Sequence, residues 1–308
     1  MEDFRSVGAR LRTWGRWGDD DERGTLNHIT PERLAAAARL VKRGVTFDLG
    51  IPLGADGPQA GHGRVNPIHL MSVVDGVEVD RAGITGAMHY NDDYVVMPLQ
   101  AATQWDGLAH VFYDDLLYNG FPSDTVSTTG ARHDSIDKIS GGVAGRGVLL
   151  DIPRLRGVDW LEAGDEIAPD ELDAAAAAAG VAVGPGDIVL LRTGWWARLR
   201  AERSRRAFFA GEPGPSLACA DWLAEREVAA LAADNHAVEA LPNAHAGTNY
   251  PLHLVLIRDM GMTLGEFFDL EELAAHCAAD GVAEFFFCAP PLKVTGAVGS
   301  PINPLAIK

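Results

Sequence analysis

The chain has 308 residues, of which 47% are hydrophobic and 22% charged, proportions typical of a globular protein that can bury a large core. Its formal net charge of −17 repels nucleic-acid phosphates and anionic lipids, so we expect neither nucleic acid nor a membrane as a partner. Three cysteines without a CxxC pair, an N-terminus without an apolar signal segment and the lack of a long apolar run together predict a cytoplasmic protein.

The first predicted helix is TPERLAAAARLVKRG, residues 30–44, which Thr30 can cap and Gly44 can end. We assign residues 1–43 to an N-terminal extension with one helix and residues 44–308 to a single main domain. The segment VTFDLG predicts a strand. The turn-rich segment 54–66 predicts a loop that is able to cover a pocket.

The rest of the chain alternates apolar, strand-like runs with helical segments. PIHLMSVV and YVVMPLQ predict short strands, GRGVLLDIP and GDIVLLRTGWW predict buried strands, and VAALAAD and AEFFFCAPP predict two further strands. Helices are predicted for APDELDAAAAAAG, SLACADWLAERE, YPLHLVLIRDMG and DLEELAAHCAADG. This alternation predicts an α/β fold with a mixed sheet in one domain.

Residues 100–110, QAATQWDGLAH, directly follow a predicted strand. In an extended segment Gln104 and Asp106 point to the same side, and a turn at Gly107 would bring His110 round to meet them. A carboxylate, an imidazole and an amide oxygen can form a weak site for a divalent metal, and an oxygen-rich set favours manganese or magnesium. The spacing alone is equally compatible with a hydrogen-bonded polar turn.

Other candidates are spread along the C-terminal half. His253 lies near the start of a predicted helix and Glu266 beyond its end, so both can reach one pocket, although each alone is also typical of a structural residue. The irregular stretch 233–251 gathers several polar side chains, and a solvated loop is an equally good interpretation. Trp105 and Trp195 can line an aromatic pocket, but core packing is the commoner use of tryptophan. The polar side chains of 233–251 are Asp234, His236, Glu239 and His245.

Several common catalytic motifs are missing from the sequence. It has no GxGxxG after a strand, no GxxxxGK[ST] and no GxSxG. Nucleotide binding and an α/β-hydrolase serine site are therefore disfavoured.

These segments together resemble the cyclase family of metal-dependent hydrolases, which includes kynurenine formamidase and isatin hydrolase. That family's signature is H-x-G-T-H-x-D-x-P-x-H, and residues 100–110 fit the same frame. Thr103, Asp106 and His110 match it, whereas the positions that depart are Gln100, Ala102, Gln104 and Leu108. The buried runs of residues 44–308 follow in the family's order, and the N-terminal segment resembles the extension of a longer, glutamine-substituted branch.

The resemblance implies a mixed β-sheet wrapped by helices (the family's β/β/α fold), usually in a homodimer or homotetramer. It implies a site with catalytic residues His110, His253 and Glu266. The metal ligands it implies are Gln104, Asp106, His110 and Glu266. Residues next to these that we expect to bind substrate are Gln100, Trp105 and Trp195. Because two signature histidines are glutamines here, we expect one divalent ion, manganese or zinc, or none.

The resemblance also implies an activity: hydrolysis of a C–N bond (amide or cyclic amide) or of a lactone in a small, aromatic or cyclic substrate, by water that a metal activates. Two alternatives stay open. The pocket can perform metal-independent cyclisation, dehydration or isomerisation with His110 and Glu266 as proton carriers, or the chain can be a non-catalytic, ligand-binding relative.

Overall fold

The computed structural model describes residues 2–61, 63–79, 82–83, 85–243, 245 and 247–308. The helices in these ranges are α1 (Phe4–Leu11), α2 (Pro31–Ala38), α3 (Ile152–Arg156), α4 (Pro169–Ala178), α5 (Trp195–Glu202), α6 (Arg205–Phe208), α7 (Cys219–Glu225), α8 (Pro251–His253) and α9 (Glu271–Asp280). A π-helix, Leu254–Asp259, continues α8. None of the described helices is long and apolar enough to cross a membrane.

The strands are β1 (Thr46–Asp48), β2 (Ile68–Val79), β3 (Thr85–Val96), β4 (Gln104–Asp106), β5 (Val126–Ser127), β6 (Gly130–Ala131), β7 (Ala144–Asp151), β8 (Glu166–Ile167), β9 (Ile188–Arg192), β10 (Gly214–Pro215), β11 (Ala230–Ala233), β12 (Thr263–Glu266), β13 (Glu284–Cys288), β14 (Gly299–Pro301) and β15 (Leu305–Ile307). Nine of them form one sheet in the order β1-β15-β13-β7-β9-β11-β12-β4-β14.

The sheet is mixed, which confirms the predicted fold class. Its central neighbours β7, β9, β11 and β12 are parallel, and the pairs outside them are antiparallel. The apolar run of β9, IVLL, is fully buried, as expected for a central strand that is covered on both faces. One cluster of buried side chains packs around Leu231 and Leu264, and a second packs around Trp105, Phe285 and Phe287.

The N-terminal extension packs on the main domain and holds more structure than the single helix we predicted. Besides α2, which Thr30 caps as expected, it contains α1, which packs against the π-helix. α2 ends at Ala38, before the predicted Gly44. Its last turn is tightened by hydrogen bonds from the backbone nitrogens of Arg39 and Leu40 to oxygens three residues back.

Strands β2 and β3 form a hairpin that pairs with no other strand of the described residues. No residue of either strand is buried, and large apolar side chains are exposed along both. The hairpin follows the loop 54–66 and ends shortly before Gln100. Both of its ends therefore connect to the segments that build the site described next.

Candidate active site

Strand β4 delivers two polar side chains to one face of the sheet and one tryptophan to the other. Alternate residues of a strand point to opposite faces, so Gln104 and Asp106 share one side. β4 pairs with β12, and this register sets Gln104 opposite Glu266. Trp105 points the other way, where its buried indole nitrogen donates to the Ala289 oxygen at 2.8 Å and its ring packs against Phe268. Trp105 is therefore a core residue that does not line the site, which corrects the prediction that it binds substrate.

Three buried side chains gather at this end of β4 and β12. His253 Nε2 lies 3.5 Å from Glu266 Oε1 and 3.9 Å from Asp106 Oδ2. One ligand atom from each of Asp106, His253 and Glu266 lies within 4.8 Å of the other two, a spacing that suits a metal ion. An imidazole with two carboxylates is a donor set for manganese or zinc.

Glu239 fixes the orientation of His253. Its carboxylate accepts hydrogen bonds from the backbone nitrogens of Leu252 and His253, at 3.0 and 2.8 Å, and contacts His253 Nδ1 at 2.8 Å. This leaves Nε2 directed at Asp106 and Glu266. A carboxylate behind a histidine is the usual outer-shell partner of a metal-binding imidazole. His253 also precedes the π-helix, a helix form that is frequent at functional sites.

The site concentrates charge in a buried place. Burial, together with the Glu266 carboxylate, raises the pKa of Asp106 to about 6, against the opposing effect of His110 and His253. Burial lowers the pKa of His253, but hydrogen bonds to Glu239 and Glu266 outweigh it and raise that pKa to about 10. An imidazole ligates a metal as the neutral ring, so metal binding at His253 would release its proton.

The residues present fit a divalent cation. Asp106 and Glu266 are two buried carboxylates whose nearby cationic groups are His253 and, 3.9 Å from Glu266, Arg64. Once His253 gives up its proton to act as a ligand, a divalent ion would supply the positive charge that the two acids need. Asp106 Oδ2 and Gln104 Oε1 are both buried and have no hydrogen-bond partner. Buried polar atoms are almost always paired, so the unpartnered Asp106 Oδ2, which lies 3.9 Å from His253 Nε2, indicates a place for an ion.

Two of the predicted metal ligands, Gln104 and His110, lie outside this group of three. Gln104 turns its amide nitrogen to the carboxylates, with a hydrogen bond to Glu266 and one of 3.4 Å to Asp106 Oδ1, so its oxygen does not point with theirs. His110 Nε2 lies 3.7 Å from Asp106 Oδ1, and its side chain, 20% exposed, is outside the buried group of three. Gln104 therefore acts as a hydrogen-bond donor to the acids, and His110 is placed beside the cluster, where it can move a proton.

A cavity of about 590 Å³ opens over the cluster, within the size range of small-molecule sites. The loop 54–66 contributes Gln59 and Arg64 to its wall, as expected for a segment that covers a pocket; His62 of that loop lies outside the described residues. Arg64 Nη1 is 3.9 Å from Glu266 Oε2, and Gln59 is anchored to the Ala101 oxygen at 2.8 Å. The other lining residues are Gly63, His110, Val111, Phe209, His236, Ala237, Tyr250, His253 and Glu266.

The remaining predicted substrate contacts, Gln100 and Trp195, are not part of this lining. The side chain of Gln100 lies against Gly299 of β14, and its backbone oxygen accepts from Arg64 at 3.3 Å. Trp195 is buried at the start of α5, where its indole nitrogen donates to the Phe208 oxygen at 3.2 Å. The aromatic residues that line the cavity are Phe209 and Tyr250. The ring of Trp195 packs behind them, against Phe208.

The polar stretch after β11 serves the site only in part. His236 lines the cavity and Glu239 orients His253, whereas Asp234 is a structural residue that accepts hydrogen bonds from Thr193 and Gly194. His245 is half-buried and lies outside the lining; Ala244 and Ala246 beside it are outside the described residues. Glu212, which contacts His236, gave no sequence signal, because its partner is 24 positions away.

Comparisons with known proteins identify the family and the fold of this chain. The family model described as "putative cyclase" matches residues 47–240. A crystal structure of a novel cyclase is 40% identical, with a TM-score of 0.89, and the alignment covers 97% of this chain and 100% of that one. No curated protein matches the chain.

More distant structures share the fold. Isatin hydrolase A from Labrenzia aggregata, bound to benzyl benzoate, is 20% identical with a TM-score of 0.61, over 89% of this chain and 97% of that one. A predicted metal-dependent hydrolase from Bacillus stearothermophilus is 18% identical with a TM-score of 0.54, over 86% and 98%. The family model spans more than half of the chain, and the close structural match spans nearly all of it; the chain therefore belongs to the cyclase family.

Proposed function

We propose that the chain is a metal-dependent hydrolase that cleaves an amide, cyclic amide or lactone bond in a small substrate. The observation that carries the proposal is the buried group of Asp106, His253 and Glu266, of which His253 and Glu266 line a small-molecule cavity. The isatin hydrolases of the same fold support a C–N bond as the target. Phe209 and Tyr250 in the cavity wall support an aromatic or cyclic substrate.

Each side chain has a distinct part in this chemistry. A divalent ion held by Asp106, His253 and Glu266 would lower the pKa of a water molecule toward about 7 and polarise a carbonyl. Glu239 keeps His253 in the tautomer that presents Nε2 to the cluster. His110, partly exposed and 3.7 Å from Asp106, accepts the proton of the attacking water as general base.

Metal removal tests the proposal directly. Protein dialysed against a chelator should lose hydrolysis of a panel of aryl esters, anilides, lactones and cyclic amides. Added manganese or zinc should restore it, with about one ion per chain by elemental analysis. Two outcomes contradict the proposal. Turnover that survives the chelator yet disappears in His110→Ala favours metal-independent acid–base chemistry, and ligand binding without turnover favours a non-catalytic relative.

We also propose that the chain works as a homodimer or homotetramer through the β2–β3 hairpin. A lone two-stranded hairpin is marginally stable in water, and this one exposes apolar side chains on both strands, such as Val74 at 72% and Val95 at 52%. The hairpin offers two strands of 12 residues, close to the roughly 20 to 30 residues per side of a standard interface. A second copy of the same hairpin or sheet edge is its proposed partner.

Analytical ultracentrifugation tests this interface. The double variant Val74→Glu/Val95→Glu should sediment as a monomer, because it would bury two charges in an apolar contact, whereas the unaltered chain should sediment at two or four times the monomer mass. Val282→Glu, at a site 43% exposed outside the hairpin, should leave the assembly intact. A monomeric unaltered chain, or an assembled double variant, would disprove the proposal.

A further inference from the structure

A second histidine with a buried acid lies in the wall of the cavity. His236 follows strand β11 and lines the same space as His110, His253 and Glu266. Its backbone nitrogen donates to Glu212 Oε2 at 2.8 Å, and its Nδ1 is in close contact with the same carboxylate oxygen. Because Nδ1 contacts Glu212 and the residue lines the cavity, Nε2 is the ring nitrogen left free for a substrate.

The partner of His236, Glu212, is a buried carboxylate with one oxygen unsatisfied. Glu212 is fully buried, its main chain is held by a reciprocal hydrogen-bonded bridge to Leu241, and its Oε1 has no hydrogen-bond partner. A buried ion pair is usually no more stabilising than apolar packing of the same volume. Such a pair at the edge of a reaction cavity is therefore a candidate for a chemical role.

The surroundings favour a protonated His236. Burial lowers the pKa of His236, but the adjoining Glu212 carboxylate outweighs it, and the net shift is upward. The other charged groups that face the ring are Arg64, which lowers the pKa, and Glu266, which raises it as long as no cation is bound to that carboxylate. The rings of Phe208, Phe209 and Phe267 lie 4.7 to 6.5 Å from the imidazole and limit the access of water.

Hydrolysis of an amide needs two proton transfers. The water loses a proton as its oxygen bonds to the carbonyl carbon, and the nitrogen must gain one as the C–N electron pair moves onto it, because an amide anion is a poor leaving group. His110 lies next to the acid cluster and is placed for the first transfer. A separate donor for the second transfer would let one site hold base and acid at once.

We propose that His236, positioned by Glu212, is the general acid that protonates the leaving nitrogen or oxygen. This inference rests on the proposed hydrolase function and narrows its substrates to those with basic leaving groups, such as amides and cyclic amides. The Nε2 proton passes to the leaving atom as the C–N or C–O bond breaks. After the product departs, His110 releases to solvent the proton it took from water, and His236 takes a proton back from solvent. Glu212 acts through His236 and is a positioning residue.

The dependence of rate on the leaving group tests the proposal. Metal-loaded protein and its His236→Gln variant are compared on a series of aryl acetates, from 4-nitrophenyl to phenyl, and on acetanilide. The variant should lose about 10²- to 10⁴-fold in kcat/KM on the anilide and the phenyl ester, the usual size of a general-acid contribution, and far less on the nitrophenyl ester. Glu212→Gln should show the same trend in milder form. Metal content should be unchanged in both variants.

His110→Gln is the matched comparison, because loss of the base for water should slow all esters by a similar factor. Equal losses across the series in His236→Gln, or no loss, would overturn the general-acid role while leaving the hydrolase function in place. A metal-loaded, unaltered chain that hydrolyses none of these compounds would overturn both proposals.

Discussion

Replacing Asp106 with asparagine is expected to abolish metal binding and hydrolysis together. Asp106 supplies one of the two carboxylates of the cluster, and its Oδ2 is buried without a partner. An outer-shell change costs about 10- to 100-fold in metal affinity, so loss of a direct ligand should cost more than about 100-fold. Isothermal titration with manganese and zinc measures the affinity, and turnover of the ester and anilide panel measures the activity.

The same variant should not be less stable than the unaltered chain when both are metal-free. Burial and Glu266 make the charged form of Asp106 unfavourable, and asparagine keeps the shape without the charge. A metal at 100 times its Kd stabilises the unaltered chain by about 2.7 kcal/mol, and this gain should vanish in Asp106→Asn. Thermal unfolding with and without metal measures both the metal-free stability and the stability gained from the metal. A variant that still gains stability from the metal would exclude Asp106 as a ligand.

Glu239→Gln provides a graded comparison. It keeps the size of the side chain behind His253 but loses the carboxylate that contacts Nδ1 at 2.8 Å. The affinity for metal should fall by about 10- to 100-fold rather than disappear. An equal loss of metal affinity in Glu239→Gln and Asp106→Asn would indicate that both changes disturb the whole cluster.

Gly24→Ala is expected to destabilise the protein by more than about 4 kcal/mol, a large part of a typical 5 to 15 kcal/mol. Gly24 has φ of +57°, and a Cβ there would overlap the backbone oxygen of Gly261. That oxygen also accepts the Thr25 nitrogen at 2.8 Å, at the turn after the π-helix. The atoms that a Cβ would meet belong to the backbone of Gly261 and cannot rotate away. The overlap can therefore be removed only if the N-terminal extension moves away from the turn after the π-helix.

Gly44→Ala is the matched control. Gly44 has φ of +68°, but a Cβ there meets nothing within 4 Å. Gly44→Ala should lower the free energy of unfolding only by the cost of a left-handed backbone at a residue with a Cβ, about 1 to 2 kcal/mol. The difference between the two variants in urea unfolding isolates the contact between the extension and the turn at Gly261. Equal losses would show that the backbone conformation alone sets the cost.

Much of this protein followed from local pattern. Uninterrupted apolar runs such as IVLL of β9 indicated buried central strands, and alternation with helices indicated a mixed α/β sheet. The period of two along a strand placed Gln104 and Asp106 on one side, because that geometry is a property of the backbone itself. The spacing could not show that Trp105 belongs to the core. That required knowledge of which face of β4 meets Phe268 and Phe287.

The sequence by itself determined the α/β class, the buried strands β7 and β9 and the common side of Gln104 and Asp106, because these depend on neighbours in the chain; it missed α1 and β12. Only the tertiary structure decided which distant groups complete the site. The antiparallel register of β4 with β12 brings Glu266 opposite Gln104, and Glu239 fixes the ring of His253. Side-chain rotation, set by buried hydrogen bonds, decided that Gln104 presents its amide nitrogen to the acids. Contacts of this kind join residues far apart in the chain, so no local pattern contains them.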